Sequence, residues 1–179
     1  MTADDVLEIL RRLDDAGIEW WIHGGWGDDA LLGRETRAHD DLDLAVRRAD
    51  VERLEMTFAE FRRVRDEWPA SFVLVDARGR QIDIHPLRID DRGDGWQERP
   101  NGEMVLWPRE ALSGRGRIGD REVRCTSAEF QVQSHLYPGH DDVDRSDIER
   151  LCERFGLERP PGLWPGTIHP KRARSRPRA

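Results

Sequence analysis

Residues 23–46 read HGGWGDDALLGRETRAHDDLDLAV. The stretch ends in Asp41-Leu42-Asp43-Leu44-Ala45-Val46, where acid and apolar residues alternate. That is the period of a β-strand, in which side chains at i and i+2 share a face. Leu42, Leu44 and Val46 therefore form a core-facing row, and Asp41 and Asp43 form an acidic row on the opposite face. Two carboxylates on one face repel each other unless something positive joins them. At the other end of the stretch, Gly24-Gly25 follows the apolar run IEWWIH (18–23) and precedes a helix expected from about Trp26 to Leu32, with Gly33 as its stop. Backbone lacking Cβ atoms can approach a ligand closely, and the first N–H groups of a helix attract anions.

A third acid completes the pattern. Gln81-Ile82-Asp83-Ile84-His85 places Asp83 between two apolar neighbours in a second strand-like run. If that run lies beside 41–46, three carboxylates converge. Hard oxygen donors of this kind suit Mg²⁺, which completes its octahedron with water and substrate phosphate. Such a site activates a hydroxyl and steadies a leaving pyrophosphate. Arg37 and His39, just before the acidic strand, are placed to reach phosphate oxygens. Each feature has a plainer explanation when taken alone. A Gly-Gly pair can be a tight turn, Asp-Leu-Asp a solvated edge strand, Asp83 a partner for a surface arginine, Arg37 a partner for Asp40, and His39 a loop residue. The ordered combination is far more specific than any of its parts.

The rest of the chain supplies a frame. Thr2 caps a helix expected to run to about Ala16, with Val6, Ile9, Leu10 and Leu13 at helical spacing. Asp50 is expected to cap another, with Val51, Leu54, Phe58 and Phe61 on one face. Residues 71–75 and 81–85 read as a hairpin, which Pro86 limits. Residues 88–102 read as a polar loop, and a short strand follows before Pro108. A second hairpin spans 114–124. Thr126 and Glu129 have capping-box spacing for a helix to about Leu136, and a last helix runs from about Asp142 to Phe155. The expected class is α+β: a small mixed sheet with helices on one side and a C-terminal helical segment. The expected division is a core (1–110), a hairpin and helical segment (111–158) and a basic tail (159–179).

This order resembles the nucleotidyltransferase superfamily of DNA polymerase beta, with its Gly-Gly turn, Asp-x-Asp and later single acid. Within it, GGWGDDALLGRETRAHDDLDLAV is similar to the antibiotic-modifying branch, which holds aminoglycoside 2''-O-nucleotidyltransferases and small lincosamide nucleotidyltransferases. IDIHP (82–86), REVRCTSAEFQ (121–131) and DRSDIERLCERFG (144–156) extend the likeness over about residues 15–157. The gap from Gly25 to Asp41 is longer than in many superfamily members but fits this branch. The resemblance implies the nucleotidyltransferase fold and Mg²⁺-dependent transfer of a nucleoside monophosphate, from ATP in the first instance, to a hydroxyl of a small molecule. Asp41 and Asp43 would hold the metal. Asp83 would ligate metal or take the acceptor proton. Gly24, Gly25, Arg37 and His39 would hold the triphosphate. It also makes a homodimer conceivable, which the residue spacing does not address.

For the acceptor, Glu103, Glu110, Asp141, Asp142 and Asp144 offer an acidic pocket suited to a polycationic aminoglycoside. Trp96, Trp107 and Tyr137 offer aromatic walls suited to a lincosamide, and the resemblance of IDIHP and of the C-terminal segments to the lincosamide enzymes tips the reading toward the latter. His135 and His140 flank the inter-helix loop beside this cleft. The competing expectations are transfer to RNA or protein, or a nucleotide-binding module without turnover. Composition narrows these. The 179 residues carry a net charge of −7, which disfavours nucleic acid outside the basic tail (Lys171, Arg172, Arg174, Arg176, Arg178). The two cysteines, Cys125 and Cys152, read as buried thiols rather than a disulfide. No apolar run approaches the roughly 20 residues of a membrane span, and no secretory leader pattern opens the chain, so a cytoplasmic protein is expected.

Overall fold

The computed structural model describes residues 1–136 and 141–161, so Tyr137, His140 and nearly all of the basic tail lie outside the described residues. The elements are α1 (Ala3–Asp15), β1 (Trp20–His23), α2 (Gly24–Leu32), β2 (Asp41–Arg47), α3 (Val51–Thr57), β3 (Arg62–Glu67), β4 (Ser71–Val75), β5 (Gln81–Ile89), β6 (Gly95–Glu98), β7 (Met104–Trp107), β8 (Gly114–Ile118), β9 (Arg121–Cys125), α4 (Ala128–Ser134) and α5 (Asp142–Phe155). The strands pair in the order β3-β4-β5-β2-β1-β9-β8, and the β6–β7 hairpin extends from the far end of β5. The β2–β5 and β1–β9 pairs are parallel and the others antiparallel. The sheet is mixed and the class is α+β. Through the β1–β9 pair, the segment after residue 110 joins the sheet built by the first 110 residues. Among the described residues, no helix is long and apolar enough to cross a membrane.

The alternation in β2 does what its pattern implies. Leu42, Leu44 and Val46 are fully buried, together with Ile82, Ile84, Phe72 and Leu74 from neighbouring strands. Val6, Ile9, Leu10 and Leu13 of α1 and Val51 and Leu54 of α3 close over that face. The opposite face is divided. One half is a smaller apolar cluster of Trp21, Ala45, Leu87, Trp107 and Leu112, with Phe130 of α4 against it. The other half carries the acids. Helices therefore do not lie on one side only: the β6–β7 hairpin, residues 111–113 and α4 cover part of the acidic face.

Several local expectations are corrected. Helix α2 starts at Gly24, not Trp26, so both glycines fall in its first turn. Helix α3 stops at Thr57; Phe58 and Phe61 stay buried but reach the core from the turn that follows. Asp50 makes no capping hydrogen bond and pairs with Arg53 instead. Pro86 does not end β5, which runs on to Ile89. Strand β4 pairs no further than Ile84, so at Pro86 the strand has a partner on one side only, where a missing N–H is tolerated. The expected polar loop contains β6. Helix α4 is capped by Ser127, whose hydroxyl accepts from Phe130 N–H, while Thr126 is buried beside His23. Strand β3 had no expectation at all: its six residues are exposed and show no apolar alternation.

Candidate active site

Parallel pairing of β2 with β5 sets Asp43 directly opposite Asp83, and antiparallel pairing of β1 with β2 sets His23 opposite Asp43. Residues in register on adjacent strands share a face, so Asp41, Asp43, Asp83, His85 and His23 all rise from the acidic side. Ligand atoms of Asp43, Asp83 and His85 lie within 4.8 Å of one another. Asp41 is outside that group. It lies one step along the face, opposite Gln81, whose amide donates to its carboxylate at 3.3 Å. Of the three expected acids, two converge in register and the third flanks them.

The electrostatics of the pair are unequal. Burial pushes Asp83 up to about 6, with the charges of Asp43 and Asp41 adding to the rise and His85 and Arg65 opposing it. Burial acts on Asp43 in the same sense, but the hydrogen bond and charge of His85 outweigh it and hold that carboxyl below its usual range. Asp83 Oδ2 receives Arg65 at 2.6 Å, whereas its buried Oδ1 has no hydrogen-bond partner. A buried carboxylate oxygen without a donor is costly. The donor set thus fits a hard divalent cation: clustered carboxylate oxygens, one of them unsatisfied.

His85 was not singled out by the sequence as a site residue. Its Nε2 lies 3.5 Å from Asp43 and 3.9 Å from Asp83. Behind it, the Gln97 amide is held at both ends: its oxygen accepts from the Trp107 indole at 3.2 Å, and its nitrogen donates to Ala70 C=O at 2.8 Å. The same nitrogen lies 3.3 Å from His85 Nδ1. Indole can only donate and a carbonyl only accept, so the amide orientation is fixed and, in the neutral form of the ring, Nδ1 accepts. The ring hydrogen then sits on Nε2, facing the carboxylates. The rings of His23 and Phe130 lie tilted against Trp107, with centroids 4.9 and 4.7 Å away, forming an aromatic floor next to His85. Burial, chiefly, drops His23 to about 3, so that ring is neutral.

The Gly-Gly turn touches this cluster. Gly24 has φ +62°, and a Cβ there would collide with the Asp43 carboxylate. A Cβ on Gly25 would collide with the His39 ring and the Arg37 guanidinium. Both glycines are thus required by close approach, one of them also by a left-handed backbone. Helices α1, α4 and α5 begin with a side chain capping their N–H groups, whereas α2 begins with none. Arg37 is half-buried and bonded to Asp147 of α5. His39 is buried, with Nε2 2.5 Å from Asp29.

The acceptor candidates scatter. Trp107 belongs to the site, but Trp96 is drawn to Asp90 in the preceding turn. Glu103 and Glu110 are exposed, the latter paired with Arg109. Asp141 caps α5, Asp142 pairs with Arg145, and Asp144 is buried against His135. No acidic pocket assembles from these five. His135 is itself buried between Asp28 and Asp144.

The family model for aminoglycoside-2''-adenylyltransferases matches residues 5–151, and the chain belongs to that family of nucleotidyltransferases. A 2''-aminoglycoside nucleotidyltransferase of Klebsiella pneumoniae is 34% identical over 133 residues, covering 73% of this chain and 70% of that protein. A lincosamide resistance protein of Staphylococcus haemolyticus is 26% identical over 153 residues, covering 84% of this chain and 94% of its own. Among solved structures, a lincosamide antibiotic adenylyltransferase with lincomycin bound aligns with a TM-score of 0.75 at 25% identity, over 84% of this chain and 96% of the other.

Proposed function

We propose that this chain transfers a nucleoside monophosphate from ATP to a hydroxyl of a lincosamide-type antibiotic, with Mg²⁺ held by Asp41, Asp43 and Asp83. The observation that carries this reading is the register of Asp43 against Asp83, with the uncapped start of α2 packed on Asp43. The triphosphate lies along the Gly24-Gly25 turn, at a helix start that the N-cap side chain does not cap. Arg37, fixed by Asp147 beside Gly25, adds positive charge at that turn, and His39 supports it from beneath. When bound, the metal polarises the α-phosphate and neutralises charge on the departing pyrophosphate.

Asp83 accepts the proton of the acceptor hydroxyl. In the metal-free protein burial raises its pKa to about 6, which still leaves it ionised at neutral pH; the role of base rests on its place beside Asp43, on the side away from the glycine turn. His85 holds the Asp43 carboxylate in place through its Nε2 hydrogen. The aromatic floor of His23, Trp107 and Phe130, and the dispersal of the five candidate acids, favour an acceptor of low charge over a polycation. Relatives of both acceptor types match the chain, the lincosamide resistance protein over 94% of its length and the 2''-aminoglycoside nucleotidyltransferase over 70%, so the choice rests on the lining of the site.

Pyrophosphate release in the presence of Mg²⁺, ATP and either lincomycin or tobramycin tests the reading. Release that needs lincomycin supports it. Release driven by tobramycin alone would replace the acceptor, and release with neither would remove antibiotic transfer.

A further inference from the structure

Strand β3 is an exposed edge strand, and its one interaction with the acidic site comes from Arg65. The ladder between β3 and β4 pairs Arg63 with Leu74 and Arg65 with Val73, leaving Val64 bulged out of register. Val73 pairs in turn with Asp83 on β5, so Arg65, Val73 and Asp83 share the acidic face. In a regular ladder without the bulge, Val64 would stand opposite Val73 and Arg65 opposite Phe72, on the core face. A bulge of this kind re-aims a side chain. Here it replaces an apolar cross-strand pair with a guanidinium that spans β4 and meets Asp83 at 2.6 Å. Arginines along an edge also deter pairing with other chains, but that role needs charge anywhere on the strand and no contact with a site acid.

The position has a direction. The phosphate turn packs against Asp43 on one side of the pair, and β4 and β3 lie beyond Asp83 on the other. In-line displacement brings the attacking hydroxyl from the side opposite the leaving pyrophosphate. The acceptor hydroxyl then approaches over β5, between the aromatic floor beside His85 and Arg65, whose side chain is 54% exposed.

We propose that Arg65 is a specificity-determining residue of the acceptor side, a fixed positive charge that rejects polycationic acceptors and admits hydroxyl compounds of low charge. This inference rests on the acceptor reading above. Arg65 acts in two ways: it covers the carboxylate that would attract an ammonium group, and it repels further ammonium groups around it. Both effects are Coulombic and weaken with salt.

The test is calorimetric affinity for tobramycin and for lincomycin, at low and high salt, in the wild type, Arg65→Met and Arg65→Lys. The account expects Arg65→Met to tighten tobramycin about tenfold at low salt and to change lincomycin by less than about threefold. Arg65→Lys should behave as the wild type, and the gain should shrink at high salt. Circular dichroism checks folding, which an exposed residue should not affect. Tobramycin affinity unchanged within about twofold in Arg65→Met, including no binding to either protein, overturns the proposal, as does Arg65→Lys matching Arg65→Met. Pyrophosphate release by the wild type is scored separately. If neither antibiotic supports it, the acceptor reading fails, while the tobramycin binding arm still decides Arg65.

Discussion

Among the described residues, two histidines sit between carboxylates, and they differ in how tightly they are held. His135 lies 2.8 Å from Asp28 and 3.0 Å from Asp144, all three buried, and ties α2, α4 and α5 together. His85 lies 3.5 and 3.9 Å from Asp43 and Asp83 and is only half-buried. Asp28, His135 and Asp147 also have the spacing of a metal site, as Asp43, Asp83 and His85 do. Their partners separate the two. Asp147 is already taken by Arg37 and Arg150, so the buried group holds as many cationic side chains as acids. At the sheet, Asp41, Asp43 and Asp83 crowd one face, and Arg65 is bonded to Asp83. Each group has one buried carboxylate oxygen without a hydrogen-bond partner, Asp28 Oδ1 in the first and Asp83 Oδ1 in the second, so it is the balance of cationic partners that separates a network fastening elements together from one open to a ligand.

The comparison can be broken at either end. The largest effect expected is on turnover. Asp83→Asn should lower pyrophosphate release by about a thousandfold or more, since both metal binding and proton transfer depend on it. The same change should leave metal-free stability unchanged or higher, because burial already disfavours the ionised form. A chemical denaturation curve for Asp83→Asn well below that of the wild type would contradict the assignment of a strained acid.

At the other end, His135→Ala should cost about 3–5 kcal/mol of stability by leaving Asp28 and Asp144 buried without their cation. Urea unfolding measures it, and a loss under about 1 kcal/mol would show that the network is not a fastener. Its pH dependence has a definite sign. Burial opposes the charged form of His135, but hydrogen bonds and charges from Asp144 and Asp28 raise it to about 10, well above its ordinary 6.5. A raised folded pKa gives stability that is complete below pH 6.5 and lost as pH rises toward 10. The difference in denaturation midpoint between wild type and His135→Gln should therefore shrink across that window. A difference that grows with pH would reverse the account.

The smallest effect concerns the support behind His85. Trp107→Phe keeps the ring but removes the N–H that fixes the Gln97 amide, which should cost about 1 kcal/mol of stability. It should also lower turnover a few-fold by letting the amide flip, and equal kcat in the variant would detach Gln97 from the site.

What the sequence made legible follows from what repeats. Asp41 and Asp43 were readable because an alternating strand exposes its faces in one dimension, and Asp83 because it sat between two isoleucines. The same alternation points to His85, two positions beyond Asp83. Arg65 carried no signal, since β3 lacks an apolar face and the bulge that aims it exists only in the pairing with β4. Pro86 misled because its tolerance depends on where a neighbouring strand stops. The expected acidic pocket failed for a related reason: composition counts acids without saying which are capped, paired or buried beneath another element, as Asp141, Asp142 and Asp144 are.

The most direct test of the central claim is pyrophosphate release from ATP with lincomycin, measured with and without Mg²⁺ in the wild type and in Asp43→Asn. The account predicts release that needs both metal and antibiotic and that disappears in the variant while the fold persists. Release that continues without Mg²⁺, or at the wild-type rate in Asp43→Asn, would contradict it.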